Sequence, residues 1–181
     1  KVYDLLKENN IRKIIVTCAG CLYAFNNVYP KYIEDFNIEI NHITQVLHDL
    51  GKKGKLDFNE KKRDMQKKVL YHDACRMGRK IKNMDIYEEP RNLLKKAGLE
   101  IIELEKNHID SMCCGAGSGI RGVDKDLCIN MGAQILEKTD SKPLISSCPL
   151  CVFNYRYVNY KKNLNKQIYY ITDFINRKKD S

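Results

Sequence analysis

Residues 144–151 read Leu-Ile-Ser-Ser-Cys-Pro-Leu-Cys, and residues 14–21 read Ile-Ile-Val-Thr-Cys-Ala-Gly-Cys. In both, a short run of mostly apolar residues ends directly on a Cys-x-x-Cys pair, and a helix-forming stretch follows. A run that brief reads as a buried strand. The pair at its carboxyl end then lies at the edge where open α/β sheets build their sites. A shift of 130 residues superposes more: Cys21 falls on Cys151, Phe25 on Tyr155 and Ile38 on Ile168. After a two-residue gap, Ile43-Thr44-Gln45 meets Ile171-Thr172-Asp173. The chain therefore repeats one unit: strand, Cys-x-x-Cys, helix, strand, Ile-Thr, helix.

Outward from the first pair, periodicity predicts a helix over 1–9, strands over 11–17 and 38–40, and helices over 22–32 and 44–50, the last stopping at Gly51. Residues 51–66 carry many charges and two glycines without an apolar period, and are expected to form a linker. Beyond them, strands are predicted over 67–71, 99–104, 143–147 and 168–171, and helices over 86–97, 120–138 and 152–164. The alternation implies an α/β fold with a largely parallel sheet and helices on both faces. Residues 67–181 form a complete module. Residues 1–50 correspond to the C-terminal half of another, because no cysteine precedes Cys18 to complete a ligand set. The front half of that first module is expected to lie ahead of residue 1.

With 181 residues and 43% hydrophobic content, the chain can bury a real core. It shows neither an 18-residue apolar run nor a basic-then-apolar leader, so a cytoplasmic location is expected, or one on the cytoplasmic face of a membrane complex. The formal charge is +9, but the basic residues are scattered rather than gathered in a patch, which argues against nucleic-acid binding. The eight cysteines are grouped as two Cys-x-x-Cys pairs, one adjacent pair and two single residues. That grouping is typical of metal ligands rather than of a disulfide framework.

The complete module presents Cys75, then 37 residues, then Cys113-Cys114-Gly115; 33 residues separate Cys114 from Cys148, which opens Cys148-Pro149-Leu150-Cys151. These intervals are long enough for strand-helix-strand excursions, so only the fold can bring the thiols to one site. This spacing resembles the CCG domain, the cysteine-rich domain of heterodisulfide reductase and of glycolate and lactate oxidase iron-sulfur subunits. The likeness extends to Tyr71-His72-Asp73-Ala74-Cys75, Gly78-Arg79, Glu89-Pro90-Arg91 with Leu93-Leu94, and Cys113-Cys114-Gly115-Ala116-Gly117. Residues 11–56 are similar to the end of a preceding CCG domain, including Asn41-His42-Ile43-Thr44-Gln45 and Gly54-Lys55-Leu56. The chain departs from the pattern at Ala74 and Ala19, where proline is usual, and at Arg76, where histidine is usual; every thiol of the complete module remains.

The resemblance implies a [4Fe-4S] cluster, of the noncubane kind in heterodisulfide reductase, held by Cys75, Cys113, Cys114, Cys148 and Cys151. It implies that Cys18 and Cys21 are ligands whose partners lie in the first module's missing half. Soft thiolates suit iron, and Gly115 and Gly117 would let backbone N–H groups approach the sulfurs. The expected role is an iron-sulfur electron-transfer subunit or segment of an oxidoreductase, with a flavoprotein or another iron-sulfur subunit as partner. A catalytic heterodisulfide or disulfide reductase is the alternative, and a zinc-stabilised interaction module a further one, since zinc also takes four thiolates. Cys128 reads as an inert packing residue. His72 and Asp73 read as orienting the loop, and Arg79 and Arg91 as pairing with carboxylates such as Glu88 or Glu89. The glycine-rich 117–122 run follows no strand, which argues against a nucleotide loop.

Overall fold

The computed structural model of the chain describes residues 1–58, 67–81 and 84–177. At its centre lies a parallel sheet in the order β5–β4–β6–β7, built from β4 (Lys68–His72), β5 (Glu100–Glu103), β6 (Leu144–Ser146) and β7 (Ile168–Tyr170). Strand pleating sends alternate residues to opposite faces. Leu70 and Leu144 join one core with Leu136, Val152 and Tyr155; Val69, Tyr71 and Ile145 join a second with Leu93, Leu94 and Phe174. Helices α7 (Lys125–Glu137) and α8 (Pro149–Lys162) therefore cover one face, and α5 (Glu88–Lys96) with α4 (Ile43–Lys52) the other.

The N-terminal unit repeats the second half of this arrangement. Strands β1 (Lys13–Val16) and β2 (Glu39–His42) pair in parallel, as β6 and β7 do. Helix α1 (Val2–Glu8) precedes them, and α2 (Ala19–Tyr23) runs through a π-helical turn at 24–28 into α3 (Tyr29–Tyr32). Val16, Ala19, Leu22 and Ile40 belong to the same buried core as Leu70, Leu136 and Leu144. The two units share one interior, and each fully buried aliphatic side chain there contributes about 1.5–3 kcal/mol.

Several sequence expectations change. Part of the expected linker is structured: β3 (Leu56–Phe58) pairs antiparallel with β8 (Ile175–Arg177), while residues 59–66 lie outside those described. Helix α4 runs through Gly51 to Lys52, and the turn falls instead at Gly54, whose φ of +65° suits glycine. The helix expected over 120–138 is two: α6 (Ile120–Val123) ends where the Asp124 carboxylate accepts the Leu127 N–H at 2.8 Å and caps α7. The helices after both Cys-x-x-Cys pairs begin earlier than periodicity indicates, at Ala19 and Pro149. The second cysteine of each pair therefore sits in a first helical turn. Proline at the first position, with φ preset, favours this start in α8. Among the described residues, no helix is long and apolar enough to cross a membrane.

Candidate metal centre

Cys148 and Cys18 occupy the same local position, each the residue between a strand and the helix it caps. Their backbone angles are nearly equal, φ −119° and ψ 117° against φ −112° and ψ 126°. Cys75 follows the carboxyl end of β4. Cys113 and Cys114 lie in the loop between a short 3-10 turn (His108–Asp110) and α6. All five thiols of the complete module line one cavity, and neighbours interact along a row: Cys75 with Cys113, Cys113 with Cys114, Cys114 with Cys151, and Cys151 with Cys148. The array then continues to Cys18, whose thiol interacts with that of Cys148. Cys21 is exposed, and it is its backbone N–H that turns toward Cys18.

The electrostatics follow from these contacts. Cys113, flanked by Cys114 and Cys75, is pulled far below the ordinary thiol range. So is Cys148, flanked by Cys151 and Cys18. Their neighbours move the other way: Cys75, Cys151 and Cys18 are raised by the neighbouring thiols and by burial, and Cys114 is pushed up to about 12, chiefly by Cys113. Lowering of this kind favours the thiolate, the form that ligates metal. A backbone donor adds to it, from Gly115 N–H to Cys113 Sγ at 3.4 Å. Gly115 has φ +88°, and a Cβ there would stand 2.9 Å from the Cys128 carbonyl, so this turn requires glycine. At Gly117 a Cβ would meet nothing within 4 Å; its place is in the cavity wall.

A buried polar shell fixes the loops. His72 Nε2 donates to the Met112 carbonyl at 2.9 Å, one residue before Cys113, and burial keeps its imidazole neutral by lowering its pKa. Asp73 accepts two bonds from Arg91 and one from the His108 N–H, while its carbonyl accepts the Ser111 hydroxyl at 2.9 Å. The Arg91 partners are therefore Asp73 and Glu103 rather than Glu88 or Glu89, because Arg91 turns inward beneath β4 and β5. Asp73, Glu103 and His108 present ligand atoms within 4.8 Å of one another, but the Arg91 guanidinium already bonds both carboxylates and supplies the positive charge there.

Asn154 escaped the sequence reading. It is fully buried on α8, one turn beyond Cys151. It donates to the Cys114 carbonyl at 2.7 Å and accepts the Cys128 thiol at 3.2 Å and Arg121 at 3.1 Å. Only its three-residue spacing from Cys151 could have flagged it. Cys128 is fully buried and serves this packing.

Beside the thiols is a cavity of about 330 Å³, walled by Cys75, Cys113, Cys148 and Leu150, with Arg76, Arg79 and Lys80 at its side and no carboxylate in its lining. From the N-terminal unit, Ala19, Gly20 and Tyr23 complete the wall. Around the thiols, Gly115 and Ala116 are buried, and Pro149 and Leu150 are exposed.

The donor set suits an iron-sulfur cluster. Five thiols converge from three strand ends, and cations at the cavity offset the negative charge of such a group. The Tyr155 hydroxyl is completely buried without a hydrogen-bond partner, in electrostatic range of Cys114, Cys151, Cys113 and Cys148. An orphan donor beside the array is what an inorganic sulfide would satisfy. A lone zinc ion, with bonds near 2.3 Å, needs its thiolates about 3.8 Å apart in a tetrahedron. Among the described residues no three thiols lie within 4.8 Å of one another.

A shared core, repeated strand–cysteine–helix turns and a row of thiols at the carboxyl ends of parallel strands define a cysteine-rich domain. Residues 69–156 match the cysteine-rich domain named CCG, so the chain carries a domain of that family. It is 31% identical over 156 residues to one subunit of the dihydromethanophenazine:CoB–CoM heterodisulfide reductase of Methanosarcina acetivorans, covering 83% of this chain and 37% of that one. It is 32% identical over 152 residues to the EtfAB:quinone oxidoreductase of Syntrophomonas wolfei, covering 78% of this chain and 20% of that one. An iron-sulfur protein of Methanocaldococcus jannaschii is 29% identical over 159 residues, 86% of this chain and 29% of its own length. The chain thus spans well under half the length of these relatives.

Proposed function

We propose that this chain is an iron-sulfur electron-transfer segment of a heterodisulfide reductase-related oxidoreductase. It would hold a [4Fe-4S] cluster through Cys75, Cys113, Cys114, Cys148 and Cys151, with residues 67–181 as a complete module and residues 1–50 as the second half of another. The observation that carries this is the convergence on one cavity of five thiols drawn from the ends of β4 and β6 and the loop after β5. Oxidoreductase relatives support it.

When bound, the cluster would take up and release one electron at a time. The residues of the chain do the rest. The thiols anchor it, the Gly115 N–H hydrogen-bonds a ligand sulfur, and Arg76, Arg79 and Lys80 offset negative charge beside them. His72 and the Asp73–Arg91 pair keep the Cys113 loop in place. A flavoprotein or a second iron-sulfur subunit is the expected electron partner.

The cavity favours a second reading, direct reduction of a disulfide. Its volume of about 330 Å³ opens beside ligand thiols and accommodates a small molecule. Iron and acid-labile sulfide analysis with EPR on anaerobically prepared protein tests both readings. Near-stoichiometric iron and sulfide are expected, falling sharply in Cys75→Ser and Cys114→Ser. Zinc without iron overturns both. A spectral change on adding a small disulfide would favour the catalytic reading over pure electron transfer.

A further inference from the structure

Helix α8 begins at the thiols and leaves them with one face uncovered. Cys148 is its N-cap, Cys151 lies in its first turn, and Leu150 stands in the cavity wall. Leu150, Phe153, Tyr157 and Tyr160 recur at intervals of three and four residues, so they form one stripe about 15 Å long down the helix. Phe153 and Tyr160 are 52% and 76% exposed, whereas Val152, Tyr155 and Val158 on the other side of α8 are buried in the core. Three cations rest on the stripe. The Arg121 guanidinium lies 4.8 Å from the Phe153 ring centre and 4.3 Å from that of Tyr157. Lys125 Nζ is 5.6 Å from Tyr157, and Lys161 Nζ is 5.8 Å from Tyr157 and 6.0 Å from Tyr160. Among the described residues none of the three pairs with a carboxylate. Asp124 and Asp126 flank Lys125, the first engaged as the α7 cap, and α8 itself carries Arg156, Lys161 and Lys162 without an acid.

Aromatic rings and arginine are the side chains that protein interfaces concentrate, and exposed apolar stripes of this kind mark contact surfaces. Cations held over the rings, unmatched by acids of the chain, call for a partner that supplies carboxylates. Resting on the cluster reading above, we propose that this face of α8 docks an acidic electron-carrier protein. Carboxylates of the carrier meet Arg121, Lys125 and Lys161, and its apolar centre covers Phe153 and Tyr160. Seated there, the carrier abuts Leu150 and the thiol cavity, where Arg76, Arg79 and Lys80 extend the same positive field to the site. One electron passes from the reduced carrier to the cluster, the carrier being oxidised and the cluster reduced by one, with no bond made or broken. An anionic membrane or a nucleic acid would answer the charge, but neither accounts for a stripe that starts at the thiols.

The test uses the full chain, loaded with iron anaerobically, and a flavodoxin, a small acidic protein that carries single electrons on a bound flavin. Flavin fluorescence reads its binding, and stopped flow reads reduction of the cluster by the reduced flavodoxin, both at rising ionic strength. Binding and rate should fall steeply with salt, and Lys125→Glu/Lys161→Glu should weaken the Kd about tenfold or more. Phe153→Ala/Tyr160→Ala should weaken it severalfold without changing its salt dependence. Both variants should keep full iron and be reduced by dithionite at the unaltered rate. Lys52→Glu/Lys95→Glu, an equal charge change on the helices of the other sheet face, should bind as the unaltered chain does. Equal losses in the two charge variants, or none in either, overturn the docking surface, as does loss of iron in a stripe variant. Binding of phosphatidylglycerol vesicles or a single-stranded oligonucleotide that Lys125→Glu/Lys161→Glu abolishes, with flavodoxin binding intact, assigns the face elsewhere and overturns it. A sedimenting dimer that Phe153→Ala/Tyr160→Ala dissociates overturns it in favour of a second copy. Unaltered chain that takes up no iron overturns the cluster reading and the electron-carrier role with it.

Discussion

Arg91 and Asp73 form a two-pronged ion pair inside the protein, Nη1 to Oδ1 at 2.7 Å and Nη2 to Oδ2 at 2.8 Å, with both side chains 3% exposed. The same guanidinium bonds Glu103 at 2.7 and 2.8 Å. Removing one partner of such a buried pair leaves an uncompensated charge and costs about 3–5 kcal/mol. Arg91→Met should destabilise the chain by that much in chemical denaturation. Arg91→Lys should recover only part, since an ammonium cannot fork onto two carboxylates. Arg91→Met combined with Asp73→Asn should lie closer to the unaltered protein than Arg91→Met alone. Because Asp73 also holds the His108 N–H and Ser111, Arg91→Met should retain less iron.

His42 caps α4: its Nδ1 accepts the Thr44 N–H at 3.3 Å, and its own backbone N–H donates to Gln45 at 2.9 Å. Burial lowers its pKa from 6.5 to about 4, so the unfolded chain binds a proton that the folded one refuses between those values. Stability from this group is therefore complete above about pH 6.5 and is lost as pH falls toward 4, by at most about 3 kcal/mol. Urea midpoints of iron-free protein measured from pH 7 to pH 4 should fall more steeply than those of His42→Gln. Parallel slopes would contradict this.

Tyr155 buries a hydroxyl without a partner beside the thiols. An unmet hydroxyl costs about 1–3 kcal/mol. Tyr155→Phe should then leave iron-free protein equally or more stable, and the hydroxyl should matter only once the site is loaded. A Tyr155→Phe variant equally unstable with and without iron would show that the hydroxyl has another partner.

Gly115 and Gly117 predict opposite responses to alanine. At Gly115 a Cβ meets the Cys128 carbonyl at 2.9 Å and Met131 Cβ at 3.0 Å, in a backbone with φ +88°. Strain of this kind costs about 1–3 kcal/mol, and relief would move the adjacent thiols. Gly115→Ala should lower both the thermal midpoint and the iron content, while Gly117→Ala, with open space around it, should change neither the midpoint nor the metal.

Local chemistry made much of the chain legible. Short apolar runs closed by cysteine specify strands ending at a ligand edge, and the 130-residue repeat states that β1–α2 and β6–α8 are one motif used twice. The Cys75, Cys113–Cys114 and Cys148–Cys151 grouping marks the site without coordinates, since thiols in that pattern have few other uses. Helix starts were less legible because a β-region N-cap residue can be read only from backbone angles, as at Cys18 and Cys148. The break at Asp124 turns on one side-chain bond.

Other features exist only once the chain is folded. The β3–β8 pairing joins residues more than a hundred positions apart, and a charged stretch gives no sign of a distant partner. The inward turn of Arg91, the bond of Asn154 to the Cys114 carbonyl and the contact of Cys18 with Cys148 are likewise long-range. Repetition identifies Cys18 and Cys148 as equivalent, but it carries no information about where two copies of a motif meet. That meeting is decided by the shared core of Val16, Leu22, Leu70 and Leu144, whose burial presses the first unit against the second and brings the two cysteines together.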